Sequence, residues 1–412
     1  MNAKVGNSAR KSGALDASLY TPKSVLELGR IGSCVAEEIA KPRRMRGEDV
    51  VPLSGQPRRK PPEHVVAAAQ SAFQQTGYTT GRGLLALREA IASRVEENTT
   101  ISVDPEAQVV ITTGAMHAVH VIMTALLSPG DEVIIPSPCF SYGGLIRLAR
   151  AQPIFVPMRA DAEYAWDLDQ VEAAIGPRTK LLIVNTPVNP TGRVLSHDEL
   201  ERLADIAQSH NLLIVADESY DRLVYDGRKH ESIYSVAAAS ERTLLVQSAT
   251  KTFAMGAWRV GWIVAPPSFT TIFANVVEWM MFASNHVAQA AVTAAITGPQ
   301  DWLQDLAGEF QANRNISVAW LRKIGCLPFV VPQGGPFILP DVSALGITGD
   351  EFAGVLITEF GLRVTGGSYY NSPECIRIVF GGTREAVEET CRRMEVAVAA
   401  YKGYRDGRDS TT

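Results

Sequence analysis

Cysteine is scarce in this chain of 412 residues: there are five, Cys34, Cys139, Cys326, Cys375 and Cys391. An odd number with no C-x-x-C pair excludes a disulfide framework and a zinc ribbon, so reduced thiols in a cytoplasmic protein are expected, with no metal site. A surplus of positive charge is also lacking, with 39 Lys and Arg against 44 Asp and Glu and a formal net charge of −5. Such a balance offers a phosphate backbone no attracting field, which excludes nucleic acid as a partner. Two stretches lack Asp, Glu, Lys and Arg, from Ala107 to Gly130 and from Trp279 to Gln300. Polar interruptions at His117 and His120 in the first, and at Asn285, His286 and Gln289 in the second, argue against membrane spans and for buried helices of a large soluble protein. The N-terminal segment has no apolar core of the kind a signal peptide needs, and a flexible arm is expected over 1–20.

What is present is enough apolar sequence, 46%, to bury a large core in more than one compact unit. From Gln108 onward, short β-branched runs alternate with helical patterns: QVVITT, EVIIP, PIFVP, KLLIVN, LLIVAD, TLLVQS and VGWIVA. Runs apolar on both faces predict a mostly parallel seven-stranded sheet sandwiched by helices, an α/β architecture. Between two of the runs, HDELERLADIAQSHN spaces Leu200, Leu203, Ile206 and Ala207 along one face and closes near Asn211. The expected organisation is a large domain over 51–295 and a smaller α+β domain built from both chain ends, 21–50 and 296–412.

In open α/β sheets ligands bind beyond the carboxyl ends of the strands, so the polar residues closing each run carry the functional signal. QVVITT leads through Gly114 into a helix starting at Ala115 and Met116, where free amides would suit a phosphate, or where small residues serve only close packing. KLLIVN ends in NTPVNPTG, a rigid loop carrying Asn189 that either aims amides at the crevice or makes an ordinary Asx turn. LLIVAD ends in Asp217, followed by Glu218, Ser219 and Tyr220; a carboxylate there needs a cation, from a ligand or from a structural ion pair. TLLVQS ends in Ser248, followed by Thr250, Lys251 and later Arg259, and that lysine is either solvated or a nucleophile made reactive by desolvation. The same residues fit S-x-x-K of penicillin-binding proteins, but the S-D-N and K-T-G companions are missing. Phosphate site, carboxylate, amide, hydroxyl and amine together are the handles that pyridoxal phosphate requires.

Read in order, the motifs resemble those of the class I/II aminotransferases, fold-type I pyridoxal-phosphate enzymes, from about Leu53 onward. They are LSGQP, Tyr78 to Gly83 followed by Leu87-Arg88, NTPVNPTG, ADESY, SATKTFAMGAWRVGW and IRIVF. The resemblance implies that Lys251 forms the internal aldimine, that Asp217 pairs with the pyridinium nitrogen, and that Tyr220 and Asn189 bond the phenolate oxygen. It implies that Phe140 stacks on the ring and that Ala115, Met116, Ser248 and Arg259 hold the phosphate. Arg377 would clamp the substrate α-carboxylate, assisted by Asn189 and the Gly55 backbone, and Tyr78 would reach the phosphate of a neighbouring subunit in a homodimer with shared sites.

The implied activity moves the α-amino group of an L-amino acid to a 2-oxo acid through pyridoxamine phosphate, with Lys251 shifting the proton. The alternative on the same scaffold is a lyase, oxidase or cyclase of specialised biosynthesis. A non-catalytic sensor module is disfavoured, since no DNA-binding unit is recognisable. Met116 stands where some bacterial aspartate enzymes carry a lysine for the distal carboxylate, which speaks against a dicarboxylic substrate unless another arginine substitutes.

Overall fold

Residues 16–236 and 239–409 are described by the structure, a computed structural model. The expected arm over 1–20 lies outside the described residues as far as residue 15. Asp16 then caps a short 3-10 turn, Ala17–Leu19.

Seven strands form one sheet: β1 (Val109–Thr112), β2 (Glu132–Ser137), β3 (Gln152–Pro157), β4 (Thr179–Asn185), β5 (Leu213–Asp217), β6 (Thr243–Ser248) and β7 (Gly261–Val264). Their order is β1-β7-β6-β5-β4-β2-β3. All seven are the runs expected from the sequence. Pairing is parallel from β6 through β5, β4 and β2 to β3, while β7 runs antiparallel to both β1 and β6.

Alternate residues of each strand enter separate cores on the two faces. Leu182, Val184, Ile214 and Leu245 point to one, and Leu181, Ile183, Val215 and Leu244 to the other, all with no exposed surface. Burial on both faces explains why the runs are continuously apolar rather than alternating, each such side chain contributing roughly 1.5–3 kcal/mol over an exposed one. The helix expected between β4 and β5 spans His197–Ser209. It opens on a reciprocal capping box between Ser196 and Glu199 and buries Leu200, Leu203, Ala204, Ile206 and Ala207.

A second sheet joins β8 (Phe337–Ile338), β9 (Thr365–Gly366) and β10 (Ile376–Val379) in the antiparallel order β8-β10-β9. Helix Gly32–Met45 from the beginning of the chain packs against helix Gly349–Thr358 and β9 near its end. No described helix is long and apolar enough to cross a membrane.

The charge-free stretches depart from expectation in one respect. Helices Ala115–Leu126 and His286–Thr297 are buried on one face, as expected. Trp279, however, closes helix Pro267–Met281 with 92% of its surface exposed, near Phe282 at 62%. Absence of charge did not mean burial there, because the pattern reports apolar character and not what covers it.

Candidate active site

The carboxyl ends of β1, β4, β5 and β6 open onto a cavity of about 720 Å³. Its walls include Gly55, Ala115, Met116, Phe140, Asn189, Asp217, Tyr220, Ser248, Lys251, Arg259 and Arg377. Every site residue expected from the sequence is thus brought together except Tyr78.

Lys251 follows β6 in a single helical turn, Ala249–Thr252, which lifts its side chain off the strand end. Its Nζ donates to the Gly55 carbonyl at 2.9 Å and lies 5.6 Å from the Tyr220 ring centre. Although the side chain faces the cavity, protein encloses it closely. Desolvation, reinforced by the charges of Arg377 and Arg259, lowers its pKa to about 7. The Gly55 N–H has no acceptor among the described residues.

Asp217 ends β5 with its carboxylate buried. One oxygen accepts from Ser219 Oγ at 2.6 Å and the other from Tyr142 OH at 2.7 Å. Burial raises its pKa, against the pull of those two hydroxyls. Among the described residues it has no cationic partner, so its charge is oriented but unneutralised.

Gly114 precedes helix Ala115–Leu126 at φ +88° and provides no side-chain cap, which leaves the first amides of the helix without acceptors. Arg259 crosses this helix start so closely that a Cβ at Gly114 would collide with its guanidinium. Gly261 packs equally close, where a Cβ would come within 2.6 Å of the Gly114 carbonyl carbon. Two glycines thus allow free amides and a guanidinium to converge, an arrangement suited to an oxyanion.

Arg377 comes from β10 and is buried between the rings of Phe337 and Tyr370, 4.7 and 4.6 Å from their centres. Its Nη1 donates to Asn189 Oδ1 at 3.0 Å and its Nε has no partner. No carboxylate of the described residues pairs with it. Asn189 is itself held by its N–H on Asn185 Oδ1, and Asn185 Nδ2 in turn donates to the Asp217 carbonyl. The NTPVNPTG loop is therefore fixed to the end of β5. Tyr220 is buried, which pushes its phenol pKa up, with Arg377 and Asn189 opposing.

Tyr78 lies away from the cavity lining, 85% exposed, its ring 4.8 Å from that of Phe282. Several wall residues were not anticipated from the sequence. Ser219 could have been found from its spacing, two positions after Asp217, where its hydroxyl and N–H can both reach back to the carboxylate. Tyr142, and the charged residues Glu37, Arg44, Arg58 and Arg363, carried no such signal.

The model of the family "Aminotransferase class I and II" matches residues 49–394. The chain belongs to this family. It is 34% identical to aromatic-amino-acid aminotransferase 2 of Thermococcus litoralis over 366 residues, 86% of this chain and 93% of that protein. It is 33% identical to an aspartate aminotransferase of Pyrococcus abyssi, with the same shares covered. Among solved structures, Thermus thermophilus aspartate aminotransferase with maleate superposes with a TM-score of 0.86 at 31% identity, covering 92% of this chain and 99% of that one. Class I and II aminotransferases use pyridoxal phosphate, and the fold reading made from the sequence holds for this member of the family.

Proposed function

We propose that this aminotransferase holds pyridoxal phosphate in the 720 Å³ cavity and moves the α-amino group of an L-amino acid to a 2-oxo acid. The observation that carries this reading is Lys251, a cavity amine whose pKa falls to about 7. The other walls fit the cofactor group by group: a buried carboxylate lacking a cation at Asp217, and free amides beside a guanidinium at Gly114. When bound, pyridoxal phosphate supplies an aldehyde for the amino group and a ring that draws electrons from the α-carbon.

Lys251 would hold the aldehyde carbon, Asp217 the ring nitrogen, Tyr220 and Asn189 the ring oxygen, and Phe140 a ring face. Ala115, Met116, Ser248 and Arg259 would hold the phosphate. Arg377 anchors the substrate α-carboxylate through its unfilled donors, with the Gly55 N–H beside it, and so fixes the α-carbon against Lys251. Once the substrate amine has replaced it at the aldehyde carbon, the Lys251 amine, about half unprotonated near pH 7, would take the proton from the α-carbon as general base. The reading includes a large unit over 51–295, a smaller one from 21–50 and 296–412, a cytoplasmic setting, and a homodimer. For the homodimer, exposed Tyr78, Trp279 and Phe282 supply an apolar surface.

Borohydride treatment of cofactor-loaded protein, followed by peptide mapping, should fix the vitamin on Lys251. An amino acid and a 2-oxo acid should exchange amino groups without release of ammonia. Label elsewhere, or ammonia as the product, would refute the proposal.

A further inference from the structure

The cavity carries more positive charge than amino transfer itself employs. Arg363, just before β9, is partly buried in the wall. Its Nη2 donates to the Leu53 carbonyl at 2.7 Å, and its Nη1 lies 3.4 Å from Glu37 Oε2. Arg44 makes the closer contact with the same Glu37, so one carboxylate serves two guanidiniums. Arg58 also lines the cavity and has neither a hydrogen bond nor an ion pair with any described residue. Apart from Asp217 at the strand ends, Glu37 is the one carboxylate among the described lining residues. Burial and the charges of Arg44, Arg58 and Arg377 hold the Arg363 guanidinium below the usual arginine range, and Glu37 only partly offsets them. Such a site is short of anions.

We infer that Arg363, with Arg58, receives a carboxylate at the far end of the substrate side chain, so that the amino donor is an acidic L-amino acid. The inference rests on the aminotransferase reading above. Arg377 would take the α-carboxylate, and the second carboxylate would replace Glu37 at Arg363, which is the looser of the two Glu37 contacts, leaving Glu37 to Arg44. A planar guanidinium whose position is already fixed by a backbone carbonyl offers its remaining donors in a fork that matches a carboxylate. Met116, a neutral residue of the cavity lining, does not have to supply the charge. A basic side chain would meet three guanidiniums and a Glu37 already paired.

The test is kcat/KM of the cofactor-loaded enzyme for aspartate and glutamate against their neutral isosteres asparagine and glutamine, and against arginine. The acidic donors should lead by about 10-fold or more, as expected where a buried charge finds its partner. Arg363→Gln should lower kcat/KM for acidic donors about 10–100-fold more than for neutral ones, mainly through KM. Arg363→Lys should recover part of that loss, and Arg58→Gln, on an exposed residue, should move the ratio in the same direction by less. Raised salt should narrow the preference. Asparagine or arginine used as well as aspartate, or an Arg363→Gln loss equal for both classes, would overturn the inference while leaving amino transfer intact. If no amino acid reacts and no vitamin is fixed on Lys251, both readings fall.

Discussion

Lys251 Nζ donates to the carbonyl oxygen of Gly55 at 2.9 Å across 196 positions of sequence. The bond aims the amine toward the segment that leads into the small-sheet side of the cavity, where Arg377 and Arg363 also stand. Because its pKa falls to about 7, the amine holds its proton in acid and is free above neutrality. Cofactor-free protein should therefore take up pyridoxal phosphate slowly below that pH and progressively faster through it. Stopped-flow absorbance across a pH series checks this, and a midpoint close to the ordinary lysine value of 10.5 would contradict the environment described.

Arg377 lines the cavity, and its buried Nε has no hydrogen-bond partner. Replacing it with glutamine removes a charge-assisted donor set worth about 1.5–3 kcal/mol, so KM for the amino acid should rise about 10–100-fold with a smaller change in kcat. Steady-state kinetics on a saturable donor separates the two, and an unchanged KM would count against carboxylate binding at this residue.

Burial raises the Asp217 pKa in the cofactor-free protein. A raised carboxyl stabilises the folded state at low pH and loses that contribution as pH climbs through the folded value. At neutral pH the bare carboxylate is thus a cost, and Asp217→Asn should raise the thermal midpoint of cofactor-free protein there, with the gain shrinking toward acid pH. Turnover should fall by about 10²-fold or more. Calorimetry at two pH values gives the first, and a lowered midpoint at neutral pH would refute it.

One residue after Lys251, Thr252 Oγ1 donates to Asp221 at 2.7 Å, and Asp221 forms an ion pair with Arg94, the side chains 8% and 9% exposed. Asp221→Ala leaves a buried guanidinium unmatched and should cost about 3–5 kcal/mol in urea unfolding. A loss below about 1 kcal/mol, the range of an exposed pair, would mean water reaches the site.

Exposed Tyr78 gives the shared-site proposal its own experiment. Lys251→Ala and Tyr78→Ala chains, each impaired alone, should recover about one quarter of wild-type activity after mixing and exchange, because half the dimers then carry one intact site. No recovery, with exchange demonstrated by mass spectrometry, would place Tyr78 outside any shared site.

The sheet was legible because its residues are buried on both faces, and burial of that kind leaves a continuous apolar signature in sequence. The strand ends were legible for the complementary reason: Asn185, Asp217 and Ser248 interrupt that signature where the chain leaves the core. Tyr142 was not, since its bond to Asp217 joins positions 75 apart and an isolated tyrosine has no period. Arg363 and Glu37 were missed on the same ground, meeting only once the two ends of the chain pack together. The expected burial of Trp279 failed because composition records which surface is apolar and says nothing of its neighbours.

Strand β7 runs against both neighbours, and its direction has a consequence for how the chain could be divided. Antiparallel partners can be joined without a crossover helix, so the path from Ala249 to Val260 leaves one strand and returns beside it while carrying both the Lys251 amine and the Arg259 guanidinium that lies against Gly114. A nick within that path, with the halves reassembled, would preserve all the pairing of the sheet and still unhitch Lys251 from Arg259. Breaks elsewhere on the surface would spare that tether, so a nick in this span separates the amine from the guanidinium without disturbing the sheet.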